Sequence, residues 1–322
     1  MGLIPMRAVF MGTPAFAVST LERLVASGHE VVSVLTQPDR PAGRGRKLTP
    51  PPVKARALEL SLEVFQPEKI RSPEAWEHLE AKAPEVIVVV GYGQIIPQRI
   101  IDLPKYGCVN VHSSLLPQYR GAAPMNWAIA LGEEKTGVTT MRIVKKLDAG
   151  DILILRETPI GPDETASELS ERLASMGADL LIETLARLDA GTITPVPQND
   201  AESSYAPILK REDGAIDWSL PAQKIYNRLR GFDPWPGAYT TLEGKRLHLR
   251  RARLAETAGL APGTMAYDGR LRIGCGGGTA LEVLELQLEG KKRLPAADFA
   301  RGQRLDAETV LGDSGPSGED KK

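Results

Sequence analysis

Short apolar runs alternate with helical patterns along the first part of the chain. Residues 7–11 and 31–35 are apolar or β-branched runs, and they flank 15–27, where apolar residues recur at helical spacing. Gly28 follows as an expected C′ residue that ends this helix. Five consecutive Val and Ile residues, Val86–Val90, predict a strand buried on both faces. This order predicts a Rossmann-like domain, in which a mostly parallel sheet is packed against helices.

The pattern changes near residue 191. Residues 192–208 are rich in Pro, Ser and Asn and are predicted to form a linker. Residues 209–312 contain one helical stretch and then short strands with Gly turns, which predicts a small OB-like β-barrel domain, a fold that often binds nucleic acids. Residues 313–322 are acidic and contain Gly and Ser, so we expect a disordered tail. The α/β domain is accordingly expected to span residues 1–191.

Two polar side chains interrupt the predicted strand that begins near residue 107. Side chains along a strand alternate between its faces, so Val109 and Val111 share one face while Asn110 and His112 share the other. The strand rise places the Asn and His side chains about 7 Å apart, close enough to reach one small reacting group. Aliphatic residues normally fill both faces of a buried parallel strand, so this polar pair requires partners or a ligand.

A second polar turn, residues 147–151, supports a catalytic role for this pair. A lone histidine near a sheet is more often a hydrogen-bonded structural residue than a catalyst. The matched Asn110 and the downstream carboxylate of Asp148 favour catalysis. Asp is also common in turns for structural reasons, so capping of its own turn is an alternative role for Asp148. A dinucleotide site is disfavoured, because the first loop lacks the G-x-G-x-x-G pattern.

Residues 37–52 form a second unusual segment. The segment contains many Pro and Gly residues and no apolar period, so we predict a long loop without helix or strand. Its basic residues are Arg40, Arg44, Arg46 and Lys47. They outnumber the acidic Asp39, which indicates a contact for phosphates, although a solvated insertion would have the same composition.

Composition narrows the classes of protein further. The chain has 322 residues and a formal charge of −1, so any nucleic-acid partner must bind a local basic patch. Its two cysteines, Cys108 and Cys275, argue against a disulfide framework and favour a reducing compartment. The four histidines show no metal-ligand spacing, and no apolar run is long enough to span a membrane. We therefore expect a cytoplasmic monomer with no metal and no membrane partner.

Several motifs resemble those of the folate-dependent formyltransferases. They are Asn110-Val111-His112, Ser114-Leu115-Leu116-Pro117, Tyr119-Arg120-Gly121-Ala122-Ala123-Pro124 and Leu147-Asp148-Ala149-Gly150-Asp151. Residues 12–14, 37–45 and 232–236 are similar to the members of that family that act on methionyl-tRNA. The likeness covers nearly the whole chain, including both predicted domains.

The resemblance implies transfer of a formyl group from 10-formyltetrahydrofolate to the α-amino group of methionine on initiator tRNA. The catalytic residues of the family fall on Asn110, His112 and Asp148. Its folate-contacting turn falls on Ser114, Leu115, Leu116 and Pro117. The arginine that enters the tRNA acceptor stem corresponds to Arg44, and the expected tRNA contacts are Arg40, Arg44, Arg46 and Lys47.

Elementary chemistry is consistent with these roles. A free α-amino group has a pKa of about 8, so a neutral fraction can attack the formyl carbon without a covalent protein intermediate. The attack creates a tetrahedral oxyanion, to which Asn110 and His112 can donate. Asp148 would orient the His112 ring, and the sequence leaves open whether His112 acts as a base or as an electrostatic donor.

Three other functions are compatible with parts of the pattern. They are a formyltransferase for a nucleotide sugar or purine precursor, a hydrolase that releases formate, and a non-catalytic RNA-binding protein. The basic loop and the second domain argue against a small acceptor. An RNA-binding protein would need no convergence of Asn110, His112 and Asp148.

Overall fold

The computed structural model describes residues 5–42, 45, 47–256, 259–303 and 309–312. Within these residues the chain divides into two units. The first is drawn from residues 1–124, 135–159 and 168–207, and the second from residues 125–134, 160–167 and 208–322. The predicted disordered tail, residues 313–322, lies outside the described residues.

The first unit is built on a seven-stranded sheet. The strands in this part of the chain are β1 Arg7–Gly12, β2 Glu30–Leu35, β3 Arg40–Ala42, β4 Lys47–Thr49, β5 Val64–Phe65, β6 Val86–Val90, β7 Cys108–His112, β8 Arg120–Gly121, β9 Lys135–Arg142, β10 Ile152–Pro159 and β11 Tyr205–Ala206. The helices in this part of the chain are α1 Val18–Ala26, α2 Pro52–Glu59, α3 Pro73–Lys82, α4 Gln98–Ile101, α5 Pro124–Leu131 and α6 Ala166–Asp189. Except for Pro124, α5 belongs to the second unit.

The order of the large sheet is β10-β9-β7-β6-β1-β2-β5. Pairing is parallel from β5 through β7, whereas β9 is antiparallel to both β7 and β10. All five residues of β6 are buried, as its unbroken run of β-branched side chains predicts. Gly28 follows α1 with a φ of +82°, which confirms its assignment as the residue that ends this helix. The prediction of a mostly parallel α/β sheet is thus confirmed.

The prediction that residues 37–52 contain no regular structure is wrong. β3 and β4 pair as an antiparallel ribbon, with Arg40 opposite Thr49 and Pro41 opposite Leu48, and α2 begins at Pro52. A two-stranded ribbon has two free edges, so the missing N–H of Pro41 does not exclude pairing. We refer to β3 and β4 as the basic ribbon.

The second unit contains an antiparallel sheet. Its helices and strands are α7 Ala222–Gly231, β12 Ala238–Leu242, β13 Lys245–Ala255, β14 Met265–Tyr267, β15 Leu271–Gly274, β16 Ala280–Leu288, β17 Leu294–Pro295 and α8 Ala296–Gln303. The sheet order is β12-β13-β16-β15-β14, and β17 pairs with β16. Leu247 and Leu249 of β13 are buried in the core and alternate with partly exposed Arg246, His248 and Arg250. A smaller antiparallel β domain therefore follows the α/β domain, as predicted.

Across the described ranges, no helix combines the length and the apolar character that a membrane crossing requires.

Candidate active site

Strand β7 carries two of the three predicted catalytic side chains. Asn110 and His112 are buried, with exposed fractions of 9% and 6%, and they lie on the strand face opposite Val109 and Val111. The side-chain amide of Asn110 makes no hydrogen bond with any other residue that the structure describes. Although the residue is largely buried, the Asn110 amide is not among the fully buried polar atoms that lack a partner, so its donors remain accessible to a ligand.

His112 has a defined orientation. Its Nε2 lies 2.9 Å from the backbone oxygen of Tyr119, and because a carbonyl oxygen only accepts, Nε2 carries the hydrogen. Its Nδ1 lies 4.0 Å from Oδ2 of Asp148. In the neutral ring Nδ1 therefore has a free lone pair, and in the protonated ring its N–H faces a carboxylate. The structure therefore brings His112 and Asp148 close together, while their catalytic roles stay a prediction that comes from the family resemblance.

Asp148 is held by its carboxylate and by its backbone. Oδ2 accepts a hydrogen bond of 2.9 Å from the N–H of Gly121. The residue has a φ of +45°, a left-handed conformation that is uncommon outside glycine. Its backbone oxygen accepts a 2.9 Å hydrogen bond from Nε2 of Gln198, which also donates to the oxygen of Gly150 at 2.7 Å. Sequence analysis did not identify Gln198 as part of this site.

Gly121 can only be glycine in this arrangement. Its φ is +115°, and a Cβ would lie 2.6 Å from the oxygen of Ala206 and 2.7 Å from the Tyr205 ring. The crowding arises because β8 pairs in parallel with β11, which brings these two backbones into close approach. The same residue donates to the Asp148 carboxylate, so the local packing and the site geometry depend on one glycine.

Arg120 is also buried beside this site. Its Nε and Nη2 donate to Oε1 of Gln198 at 3.0 and 2.8 Å, and its Nη1 donates to Oδ1 of Asp200 at 2.8 Å. Lys146 also pairs with Asp200. The hydrogen bonds from Lys146 and then from Arg120 hold the pKa of the Asp200 carboxyl below its ordinary value. Arg120 belongs to the motif at residues 119–124, but nothing in the sequence identifies the residues to which it binds.

The predicted folate-binding turn follows β7 directly. Ser114 is fully buried, and its hydroxyl donates to the backbone oxygen of Gln118 at 2.6 Å. Thr139 of β9 fixes the turn, because its hydroxyl donates to the oxygen of Ser114 and accepts from the N–H of Leu116. Leu116 is buried, whereas Leu115 and Pro117 are partly exposed. The side-chain surface that this turn offers to a ligand is therefore largely apolar.

The basic ribbon carries two of the four predicted tRNA contacts, and the other two, Arg44 and Arg46, lie outside the described residues. Arg40 and Lys47 are exposed, and neither forms an ion pair with a residue in the described ranges. Asp39, by contrast, receives hydrogen bonds from Lys54 and Gln66, which lower the pKa of its carboxyl. The negative charge of Asp39, the acid nearest to Arg40 in the chain, is thus paired with Lys54. It does not cancel the positive charge of the basic ribbon.

Within the ranges that the structure covers, no group of three or more His, Cys, Asp or Glu side chains is arranged to hold a metal ion.

Comparison with known proteins identifies relatives across both units. Residues 6–185 match the sequence model of the family described as formyl transferase, and residues 208–304 match that of the formyl transferase C-terminal domain. A methionyl-tRNA formyltransferase of Solibacter usitatus is 57% identical over 309 residues, covering 96% of this chain and 99% of the relative. Another, from Geobacter sulfurreducens, is 52% identical and covers 96% and 98% of the two chains.

Solved structures share the fold at lower identity. An N-formyltransferase of Helicobacter canadensis, in complex with folinic acid and dTDP-3-aminofucose, has a TM-score of 0.65 at 18% identity and covers 86% of this chain and 98% of its own. HypX of Aquifex aeolicus, in complex with tetrahydrofolic acid, has a TM-score of 0.64 at 21% identity and covers 92% and 47%. The two family matches and the near full-length relatives confirm the resemblance drawn from the motifs: the chain belongs to the formyl transferase family.

Proposed function

We propose that this chain transfers the formyl group of 10-formyltetrahydrofolate to the α-amino group of methionine on initiator tRNA. The observation that carries the proposal is the geometry on β7. The side-chain amide of the largely buried Asn110, to which no other described residue binds, lies on the same strand face as His112, and His112 directs Nδ1 toward Asp148 at 4.0 Å. This arrangement offers a donor for an oxyanion and an acceptor for a proton, and formyl transfer to an amine requires both.

The proton is taken by Nδ1 of His112. Nε2 already donates to the oxygen of Tyr119, so Nδ1 is the only ring nitrogen of the neutral His112 that can accept. The amine nitrogen attacks the formyl carbon, a C–N bond forms, and the carbonyl electrons move to oxygen. As the amine loses its proton to Nδ1, the ring becomes positively charged beside the Asp148 carboxylate, which stabilises it.

Asn110 stabilises the negative charge on oxygen. Its side-chain N–H donors are not used by other described residues, and one of them is directed at the oxyanion in this proposal. A well-placed donor of this kind lowers a barrier by about 3 kcal/mol, which corresponds to roughly a hundredfold in rate. When the intermediate collapses, the carbonyl re-forms and the bond to the folate nitrogen breaks. That nitrogen takes the proton from His112, and tetrahydrofolate leaves.

The two substrates are assigned to two separate segments of the chain. The partly exposed Leu115 and Pro117 provide apolar contacts for the pterin, and the buried Ser114 shapes the turn rather than binding the ligand directly. The exposed Arg40 and Lys47 of the basic ribbon contact tRNA phosphates, together with Arg44 and Arg46. The partly exposed arginines of β13 offer the second unit a comparable surface for nucleic acid.

A nucleotide-sugar acceptor is the main alternative, because one of the structures with a similar fold is named as an N-formyltransferase bound to a sugar nucleotide. That structure is only 18% identical, whereas the relatives with more than half of their residues identical are named methionyl-tRNA formyltransferases. The exposed cations of the basic ribbon also favour a polyanionic acceptor over a small one.

Formyl transfer measured in parallel with three acceptors tests the proposal. Purified protein and 10-formyltetrahydrofolate are mixed with methionyl-tRNA, with an amino-sugar nucleotide, or with water alone, and formylated product and released formate are quantified. We expect product only with methionyl-tRNA. Equal or faster transfer to the sugar nucleotide, or rapid release of formate in water, would exclude the proposed acceptor.

Two substitutions test the catalytic roles proposed for Asn110 and His112. Asn110→Ala and His112→Ala should each slow kcat by about a hundredfold or more, while thermal unfolding shows that the fold persists. Gln98→Ala on the exposed face of α4 is the control and should leave kcat unchanged. Wild-type turnover in either site variant would show that the chemistry occurs elsewhere.

A further inference from the structure

The two neighbours of Arg120 in the chain each contact one of the side chains proposed to transfer and stabilise the proton. The backbone oxygen of Tyr119 accepts from Nε2 of His112, and the N–H of Gly121 donates to Oδ2 of Asp148. Arg120, between them, contacts neither side chain. It is nevertheless buried, and each of its three guanidinium nitrogens donates a hydrogen bond, as a buried guanidinium group requires if the cost of its burial is to be offset.

Gln198 connects Arg120 to the backbone of Asp148. Its Oε1 accepts two hydrogen bonds from Arg120, and its Nε2 donates to the oxygens of Asp148 and Gly150. A guanidinium group only donates and carbonyl oxygens only accept, so the amide has a single orientation that satisfies all four contacts. Arg120 thereby fixes which atom of Gln198 faces the loop that carries Asp148.

The backbone of Asp148 needs such support. Its φ of +45° is sparsely populated for a residue other than glycine, and such conformations persist when surrounding contacts determine them. The two carbonyl groups bound by Gln198 belong to Asp148 itself and to Gly150, two residues further along the same turn. If these bonds are lost, the turn can relax, and the carboxylate moves relative to Nδ1 of His112.

We propose that Gln198, oriented by Arg120, is a positioning residue that places the Asp148 carboxylate against His112. The inference rests on the proposed function and extends it to residues 192–208, which the sequence predicts to be a linker. Gln198 touches no substrate in this proposal. It acts only through the backbone of Asp148, so its effect on rate depends on the presence of the Asp148 carboxylate.

The expected effect is on turnover rather than on substrate affinity. Displacement of a catalytic group by about 1 Å costs up to about a hundredfold in rate. Residues that orient metal ligands from outside the coordination shell cost roughly 10- to 100-fold when mutated, and we take this as the scale for a positioning residue. We therefore expect Gln198→Met, which keeps length and neutrality but removes all four hydrogen bonds, to lower kcat about 10- to 100-fold. The KM values for tRNA and folate should change less than about threefold, because Gln198 contacts neither substrate.

A double-mutant cycle with Asp148→Asn gives the decisive test. If Gln198 acts by placing the carboxylate, Gln198→Met should cost much less in a chain that already lacks it. Gln98→Met, on the exposed surface of α4, is the matched control and should leave kcat unchanged in both backgrounds. Thermal unfolding of each variant is measured, and kcat is expressed per folded molecule at a temperature well below every transition.

A second variant separates positioning from loss of packing. Gln198→Glu keeps an oxygen for Arg120 but removes the donors to the two carbonyl groups, so we expect it to fold and to show a lowered kcat. The inference is overturned if Gln198→Met costs the same factor with and without the Asp148 carboxylate, or if either variant has a wild-type kcat per folded molecule. Absence of transfer to methionyl-tRNA by the wild-type protein would instead refute the proposed function itself.

Discussion

Replacement of Asp148 by asparagine tests the central electrostatic interaction of the proposed mechanism. The substitution keeps the shape of the side chain and removes its charge. Oδ2 lies 4.0 Å from Nδ1 of His112, and both side chains are largely buried, with exposed fractions of 16% and 7%. At that distance and an effective dielectric constant of about 20, a pair of unit charges interacts by about 4 kcal/mol. Loss of the whole interaction in the transition state would slow transfer about a thousandfold.

The measured decrease in the rate of transfer should be somewhat smaller than this upper limit. The introduced asparagine side chain can turn its oxygen toward the N–H of Gly121, so the hydrogen bond at 2.9 Å is retained. That position is also the one nearest Nδ1 of His112, so the amide oxygen still presents a partial negative charge to a protonated ring and retains part of the attraction. We expect kcat to fall between about a hundredfold and a thousandfold, with little change in the KM of either substrate.

A single-turnover assay with saturating folate and methionyl-tRNA isolates the chemical step from product release. Asp151→Asn is the matched control, because it removes one negative charge from the same loop without a contact to His112. It should change the single-turnover rate less than about threefold. The reasoning fails if Asp148→Asn stays within about tenfold of wild type, or if the Asp151 variant loses as much as the Asp148 variant.

Further expectations concern packing, tRNA binding and the thiols. Gly121→Ala should destabilise the fold by about 2 kcal/mol and also lower kcat, because a Cβ clashes with β11; an unchanged denaturation midpoint would contradict this. Lys47→Ala should reduce the slope of log affinity for tRNA against log salt by about 1, whereas the exposed control Lys69→Ala should not. Burial raises the pKa of the Cys108 thiol to about 12 and that of Cys275 to about 11, so at about pH 8 neither should react with a thiol reagent until the protein is unfolded. Rapid modification of the native protein would contradict that burial.

Features that depend on the local pattern of residues could be predicted from the sequence. The buried strand β6 is an unbroken aliphatic run, and Gly28 sits where a helix end requires a positive φ. The shared face of Asn110 and His112 follows from strand alternation alone, because side chains repeat every two residues. The pairing of His112 with Asp148 could be expected only from the family motif, since 36 positions separate them in the chain and no local rule links them.

Features that depend on contacts between residues far apart in the chain could not be predicted from the sequence. The basic ribbon was missed because Pro and Gly suggest irregular structure, and a two-stranded ribbon with free edges tolerates both. Gln198 was missed because its partners lie 78 positions away at Arg120 and 50 positions away at Asp148. Its surroundings in the sequence are those of an ordinary connector, and only tertiary structure supplies the carbonyl groups that it binds.

The positions of Gln198 and β11 in the chain determine where the protein can be shortened without loss of contacts at the site. A chain shortened at residue 191, the end of the predicted α/β domain, would keep Asn110, His112 and Asp148. It would nevertheless lose the strand that pairs with β8 and the amide that binds the Asp148 loop. The smallest fragment worth engineering therefore extends at least to residue 207, where the first unit ends.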